Sequence, residues 1–197
     1  MDKAEVLRSI PGVLSTYLQG MGLKAQGGPT GDPMLDGFFD KDPSRVYYRL
    51  AYHLTKELKP TCSVELGTEC GYFAAHLAAG NPDGMVWAVD PDAKDIFHIQ
   101  HRFSNIVLLE GTSIDPTVLA KFEEESVDLL FIDSLHVAQY TLWETALWSP
   151  KMKRGGVILY DDVLHDEMRG VLYQLPFREK GLLPKMHPSG LGYAVVR

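Results

Sequence analysis

Residues 62–79 read CSVELGTECGYFAAHLAA, and this stretch decides the fold. It begins with a short, mostly apolar run, Cys62 to Leu66, which predicts a buried β-strand. Two glycines, Gly67 and Gly71, then mark a turn, and the segment from Gly71 to Ala79 predicts a helix. A strand, a turn and a helix in this order, repeated along a chain, indicate a parallel sheet with helices on both faces.

The same alternation continues through the rest of the sequence. Four further apolar runs predict strands, at Met85 to Val89, Asn105 to Leu109, Val127 to Ile132 and Gly156 to Tyr160. Helices are predicted between them, over 93–102, 116–124 and 138–148. Two last runs, Leu182 to Met186 and Tyr193 to Val196, flank HPSGLG and predict an antiparallel hairpin. The predicted fold class is therefore α/β: a doubly wound, Rossmann-like, seven-stranded and mostly parallel sheet with an antiparallel C-terminal hairpin.

The segment before residue 62 is interpreted as a helical cap. Val46 to Leu58 has an amphipathic helical pattern, whereas QGGPTGDPMLDGFF, residues 26–39, predicts a loop. We expect a single domain over 1–197, with a cap or lid at 1–60 and the core at 61–197. For residues 38–49, two interpretations stay open: a lid over an active site, or a helix that covers the sheet edge.

Composition narrows the class of function. The 197 residues are 45% hydrophobic and 23% charged, with a formal net charge of −7, which excludes disorder and the basic surface of a general nucleic-acid binder. No run of about 18 apolar residues and no signal-peptide core occurs, so we expect a cytoplasmic protein without a membrane partner. Cys62 and Cys70 fit reduced thiols better than a disulfide. A small-molecule substrate is favoured, and a homodimer is the common default for the oligomeric state.

The residues that follow the first three strands form a candidate cofactor site, because ligands in open α/β sheets bind beyond the carboxyl ends of the strands. Asp90 ends the second strand, where a carboxylate can accept both hydroxyls of a ribose. The candidate cofactor residues are Glu65, Gly67, Thr68, Gly71, Asp90, Gly111, Thr112, Ser113 and Asp133. A dinucleotide-dependent dehydrogenase shares these features. However, its G-x-G-x-x-G fingerprint is absent, and Glu69 would repel a pyrophosphate.

Three aspartates follow the fourth and fifth strands and form a candidate metal site. Asp133, Asp161 and Asp162 should meet at one edge of the sheet, where their charges repel unless a cation neutralises them. An all-carboxylate set suits a hard, oxygen-ligated cation, Mg²⁺ most simply. The alternative is structural: Asp162 caps the next helix and Asp133 only ends a strand.

The glycine turn resembles the first motif of class I S-adenosylmethionine-dependent methyltransferases, and the order of elements resembles theirs over roughly residues 60 to 197. The family motif is E/D-x-G-x-G-x-G, and here it runs from Glu65 to Gly71 with Glu69 in place of the central glycine. The resemblance implies that Glu65 and Gly67 contact the methionine part of S-adenosylmethionine, Asp90 the ribose and Ser113 the adenine side. The turn is expected to survive if Glu69 keeps an ordinary φ.

The strand-four and strand-five residues resemble those of metal-dependent O-methyltransferases of the catechol and caffeoyl-CoA types, whose metal ligands match Asp133, Asp161 and Asp162. The run Ile132-Asp133-Ser134-Leu135-His136 is closer to macrocin-type sugar O-methyltransferases and cephalosporin-hydroxylase relatives, which carry a histidine where catechol-type enzymes carry lysine. The resemblance implies methyl transfer to a hydroxyl of a sugar diol or a catechol, with Asp133 and His136 as catalytic residues and His136 as the base.

Several alternatives to this function stay open. They are a metal-dependent oxygenase, a metal-independent methyltransferase and a non-catalytic cofactor-binding protein. The two histidines and one carboxylate typical of an iron site are not evident, and His136 can also be an exposed bystander. Trp143, Leu147 and Trp148 are predicted to form the core face of a helix, and His187 has no evident partner in the sequence.

Overall fold

The computed structural model describes residues 12–27, 29–93 and 96–197, and its centre is one seven-stranded sheet. The strands are β1 (Cys62–Leu66), β2 (Met85–Asp90), β3 (Ile106–Glu110), β4 (Val127–Ile132), β5 (Met152–Tyr160), β6 (Glu179–Leu183) and β7 (Leu191–Val195). Their order is β3-β2-β1-β4-β5-β7-β6. The first five strands run parallel, whereas β7 is antiparallel to both β5 and β6. The predicted fold class is confirmed, and the reversal of strand order beside β1 is where ligands bind in such sheets.

The helices cover the two faces of this sheet. They are α1 (Val13–Gly27), α2 (Pro33–Lys41), α3 (Tyr47–Leu58), α4 (Tyr72–Gly80), α5 (Phe97–Gln100), α6 (Pro116–Leu119), α7 (Ala138–Trp148) and α8 (Val171–Gln174). Short 3₁₀ turns occupy Ser149–Lys151 and Asp166–Met168. No helix in these described ranges is both long and apolar enough to cross a membrane.

Alternating side chains along the central strands feed two hydrophobic cores. In β4, which is buried along its whole length, Phe131 packs into the core on the side of α1 to α4, and Ile132 packs into the other core. Parallel pairing brings Leu66 beside Val89 and Ile132, and Ile132 beside Tyr160. The carboxyl ends of β1, β2, β4 and β5 therefore lie together at one edge, which places the functional residues that follow them.

The N-terminal segment differs from the sequence prediction. Residues 26–39 were expected to be a loop, but Pro33–Lys41 is helix α2. Asp32 caps it, because its carboxylate accepts hydrogen bonds from the amides of Met34 and Leu35, and a proline is well placed in the first turn of a helix. Phe38 on α2 stacks on the ring of Tyr72, with centroids 4.2 Å apart. Much of the segment 38–49, for which a lid and a covering helix were both considered, is thus helical and packed on the core.

Helix α7 presents an unexpected face to the core. Thr141, Glu144, Thr145 and Trp148 are buried, whereas Trp143 is 54% exposed and Leu147 is 41% exposed. The prediction that Trp143 and Leu147 belong to the core face is wrong. The buried residues are three or four positions apart and so lie on one face of the helix, and most of them are polar.

Element boundaries were predicted with mixed success. β1, β4 and α7 have the predicted ends, but α5 and α6 are single turns, and β6 lies at Glu179–Leu183 rather than 182–186. Residues 94 and 95 of the predicted helix over 93–102 lie outside the described residues. Cys62 and Cys70 are free cysteines, as predicted.

Candidate active site

The turn after β1 alternates between left-handed and ordinary backbone. Gly67 has φ 87°, Glu69 has φ 45° and Gly71 has φ 73°. The condition under which the turn was expected to survive, an ordinary φ at Glu69, is not met: Glu69 adopts the left-handed conformation, which costs a residue with a Cβ more than it costs glycine. The amide of Glu69 donates a 2.9 Å hydrogen bond to Asp90 Oδ2, which ties the turn to the end of β2.

Gly67 is needed where β1 meets β4. A Cβ added at this position would collide with the backbone carbonyl of Asp133, so only glycine permits the two strand ends to approach this closely. A Cβ at Gly71 would contact the side chain of Ile96 at 2.8 Å. Both glycines therefore shape the site through packing between protein segments.

Glu65 is a buried carboxylate at the base of the turn. It is 2% exposed, and Thr68 Oγ1 donates a 2.6 Å hydrogen bond to its Oε2. Burial raises the pKa of the Glu65 carboxyl well above its ordinary value, and the Thr68 hydrogen bond only partly offsets this. A cationic group of a ligand would stabilise the ionised form of Glu65.

Two clefts open along this edge of the sheet. The first, here the strand-end cleft, measures about 410 Å³ and is lined among others by Asp90, Thr112, Ser113, His136 and Tyr140. The second, here the aromatic cleft, measures about 220 Å³ and is lined among others by Phe38, Tyr48, Glu65, Thr68 and Tyr72. Both clefts share Arg45, Gly67, Glu69 and Asp133 as walls. Of the predicted cofactor residues, Gly71 and Gly111 line neither cleft.

Ser113 and Glu144 connect the turn after β3 with the turn after β4. The carbonyl of Ser113 accepts a 2.8 Å hydrogen bond from Trp148 Nε1, and its hydroxyl lies 3.2 Å from the Tyr140 hydroxyl. Ser134 Oγ donates a 2.5 Å hydrogen bond to Glu144 Oε1, which is fully buried beneath this turn. Burial raises the pKa of the Glu144 carboxyl to about 7. Sequence reasoning did not identify Glu144, because a lone acidic residue within a helix gives no sign that it points inward.

Asp133 and His136 form a hydrogen-bonded pair where the clefts meet. His136 Nε2 lies 2.9 Å from Asp133 Oδ1, and His136 Nδ1 lies 3.2 Å from Asp162 Oδ2. Burial raises the pKa of the Asp133 carboxyl to about 7, although the hydrogen bond from His136 opposes this. The same hydrogen bond raises the pKa of the His136 imidazole. The carboxylate thus orients the ring and stabilises its protonated form.

A second histidine, which the sequence did not single out, completes the cluster. His187 Nδ1 lies 3.2 Å from Asp161 Oδ1 and 3.0 Å from Asp162 Oδ1. Burial opposes ionisation of this ring, but the two carboxylates raise the pKa of His187 to about 9. The predicted hairpin could have indicated His187, because its HPSGLG connection, which begins with this residue, leads into the strand that pairs with β5. All three predicted metal ligands, Asp133, Asp161 and Asp162, lie in this cluster.

Arg45 reaches the site from the segment before α3 and was also missed. Its guanidinium donates hydrogen bonds to Asp42, to the Tyr47 hydroxyl at 3.0 Å and to the Tyr48 hydroxyl at 3.3 Å. It lines both clefts, which places a fixed positive charge beside Asp133. A charged residue in a predicted lid carries no pattern that would have assigned it to the site.

Known proteins resemble this chain in sequence and in fold. Residues 64–163 match the family described as a methyltransferase domain. Catechol O-methyltransferase of Mus musculus is 28% identical over 120 residues, which are 55% of this chain and 44% of the mouse protein. The chain therefore spans less than half the length of that relative.

Two solved structures share the architecture. A provisionally assigned caffeoyl-CoA O-methyltransferase from Staphylococcus aureus has a TM-score of 0.68 at 17% identity, covering 94% of this chain and 100% of that one. The SAH-bound methyltransferase PaMTH1 of Podospora anserina has a TM-score of 0.63 at 19% identity, covering 95% and 89%. At these identities the likeness establishes the fold alone.

Proposed function

The chain belongs to the family of methyltransferase domains, and from this premise we propose that it transfers a methyl group from S-adenosylmethionine to a hydroxyl of a small molecule, a sugar diol or a catechol-like acceptor. The observation that carries the proposal is the Asp133–His136 pair at the junction of two clefts. The strand-end cleft holds Asp90, Thr112 and Ser113, and the aromatic cleft, which begins beside Glu65 and Thr68, is lined by aromatic rings. A transfer reaction needs two ligands to meet beside a base.

The cofactor is proposed to lie along the ends of β1 to β3. When bound, S-adenosylmethionine supplies a methyl group that its sulfonium already activates. Glu65 and Thr68 suit the ammonium of its amino acid part, because a buried carboxylate gains most from a cationic partner. Asp90, Thr112 and Ser113 line the strand-end cleft and suit the ribose and adenine. Gly71 and Gly111 would contribute by shaping the loops.

His136 is proposed as the general base. If its Nε2 carries the proton donated to Asp133, the ring presents Nδ1 as the acceptor. Asp162 Oδ2, 3.2 Å from Nδ1, would stabilise the imidazolium that forms. Proton acceptance at Nδ1 requires the substrate hydroxyl to lie within hydrogen-bond reach of this atom, beside Asp162.

A divalent cation, Mg²⁺ in the simplest case, is proposed at Asp133, Asp161 and Asp162. The fit rests on buried oxygens: Asp161 Oδ1 and Asp162 Oδ1 make no hydrogen bond within the described part of the chain. In the metal-free protein the imidazole of His187, whose pKa the two carboxylates raise to about 9, partly neutralises them, and a divalent cation would take over this role. A bound cation would lower the pKa of a nearby hydroxyl and so ease its deprotonation.

The acceptor is proposed to bind in the aromatic cleft. Phe38, Tyr48 and Tyr72 offer ring faces, and Arg45 offers hydrogen-bond donors beside them. Flat aromatic walls suit a catechol ring or the apolar face of a sugar. The name of the mouse relative, catechol O-methyltransferase, agrees with this choice. Absence of nucleic-acid and membrane partners, a cytoplasmic location and a homodimer stay predictions.

Titration calorimetry with S-adenosylmethionine tests the proposal. We expect micromolar binding that weakens about tenfold or more in Asp90→Asn, because the variant keeps one acceptor oxygen but loses the charge. Asp83→Asn, an exposed change before β2, is the matched control and should bind as the wild type does. A methyl-transfer screen over catechols and sugar diols should give product that His136→Gln abolishes. Wild-type protein that does not bind the cofactor would refute the proposal.

A further inference from the structure

We propose that His187 is a metal ligand, and that the resulting mixed nitrogen and oxygen site selects a transition-metal cation such as Mn²⁺ over Mg²⁺. The inference deepens the cation site of the proposed function, from which it takes Asp161 and Asp162. The inference adds His187 to the carboxylate ligands, and it changes the expected metal from Mg²⁺ to a transition-metal cation.

Three buried atoms converge on one point without well-aligned hydrogen bonds. His187 Nδ1, Asp161 Oδ1 and Asp162 Oδ1 each expose almost no surface, and none makes a hydrogen bond within the described residues. The ring nitrogen nevertheless lies only 3.2 Å and 3.0 Å from the two oxygens. Asp161 is 2% exposed, so bulk solvent does not reach its carboxylate. Atoms that are close but misaligned for mutual hydrogen bonds are expected where all of them face one cation.

The spacing of these atoms also fits a metal ion. Metal–ligand bonds of about 2.1 to 2.2 Å place neighbouring ligands of an octahedral site about 3.0 to 3.1 Å apart. The observed 3.0 and 3.2 Å separations match this edge length. Asp161 belongs to a second potential group with Asp133 and His136, so the cation would lie next to the proposed base.

The ligand chemistry sets the preference. Mg²⁺ takes oxygen ligands and keeps several waters, whereas imidazole nitrogen suits Mn²⁺, Fe²⁺, Co²⁺ and Zn²⁺ increasingly well. A site with two carboxylates and one imidazole therefore favours the transition metals. Sequence reasoning named Mg²⁺ because it counted only aspartates.

Backbone contacts hold His187 in place. The amide of Leu164 donates a 2.7 Å hydrogen bond to the Ser189 carbonyl, and the amide of Val163 donates to the Gly190 carbonyl at 3.2 Å. These bonds join the loop before β7 to the loop that carries Asp161 and Asp162. The ring of Tyr47 lies edge-on to the imidazole, with centroids 5.4 Å apart. Ligands fixed in this way need little rearrangement to bind a metal.

The test is metal binding by the EDTA-treated protein without cofactor or acceptor. Mn²⁺ titration followed by electron paramagnetic resonance should give a Kd at least about tenfold below that for Mg²⁺. His187→Gln should raise the Mn²⁺ Kd about tenfold or more and leave the Mg²⁺ Kd within about threefold. His165→Gln removes an exposed histidine from the same strand-five loop and should change neither.

Spin-echo modulation of the bound Mn²⁺ identifies the ligand. Protein labelled with ¹⁵N-histidine should show a nitrogen coupling that survives in His136→Gln and disappears in His187→Gln. The wild type and His136→Gln keep the test decisive if His187→Gln does not fold. Absence of nitrogen coupling, its loss in His136→Gln, or equal affinity for Mg²⁺ and Mn²⁺ would overturn the inference. S-adenosylmethionine binding is measured separately, so failure of the methyltransferase proposal would be recognised independently.

Discussion

Replacement of Glu144 by glutamine should change how stability depends on pH. Glu144 is 0% exposed, and burial raises the pKa of its carboxyl from an ordinary 4.5 to about 7. Glutamine keeps the acceptor for the Ser134 hydroxyl but cannot ionise. The variant therefore removes the titration and keeps the packing of α7.

The sign and size follow from proton linkage. The folded protein holds the Glu144 proton more tightly than the unfolded chain does. This stabilisation is therefore complete below pH 4.5 and is lost as the pH rises through 7. A pKa raised from 4.5 to about 7 corresponds to about 3 kcal/mol in total, of which about 2.5 kcal/mol falls between pH 5 and 8.5. We expect the wild type to lose this much relative to Glu144→Gln over that range.

Urea unfolding at several pH values, with EDTA present, measures the difference. Asp133 and His136 titrate in both proteins, so their contributions largely cancel when the variant is subtracted. Glu124→Gln, an exposed change, should track the wild type at every pH. A difference between wild type and Glu144→Gln that stays constant within about 0.5 kcal/mol would refute the argument that burial keeps Glu144 protonated.

Three further changes test the architecture of the site. Glu69→Gly should raise the free energy of unfolding by up to about 1 kcal/mol, since it removes the strain of a left-handed backbone at a residue with a Cβ. A lower free energy of unfolding in urea would contradict this. Gly67→Ala should cost about 3 kcal/mol or more and abolish S-adenosylmethionine binding in calorimetry, because the new Cβ meets the β4 backbone. Gly20→Ala, which meets nothing, is its control and should be neutral or stabilising. Asp128→Ala should lower the free energy of unfolding by about 3 kcal/mol, because the buried carboxylate accepts hydrogen bonds from two backbone amides and from the ammonium of Lys153. Lys153→Met should lower it clearly less, and thermal or urea unfolding measures both.

The sheet was predictable because its signals are local and repeated. β1 and β4 are short apolar runs bounded by polar turns, and both have the predicted ends. Asp90, Asp133 and Asp161 could be placed at one edge because parallel strands share a direction. The helix at Pro33–Lys41 was missed because the surrounding glycines and prolines indicate a loop, although an aspartate followed by proline, as at Asp32, also favours a helix start.

Contacts between distant segments could not be predicted in this way. His187 and Arg45 join the site only because a hairpin and an N-terminal helix pack beside β5 and β4, and no spacing in the sequence encodes that packing. Trp143 was expected in the core but is exposed, and Glu144, which the sequence did not single out, is buried, for the same reason. Periodicity identifies a helical face, but the neighbouring elements decide which face is buried.

The insertion of β7 between β5 and β6 has a consequence for folding kinetics. The outer neighbour of β5 is β7, with Val157 paired to Val195, and such non-local pairing is slow to form. Before it forms, β5 offers an open, apolar edge that can pair with another chain. The pairing that covers this edge also brings His187 to Asp161 and Asp162, so a misassembled chain would lack both the complete sheet and the complete site.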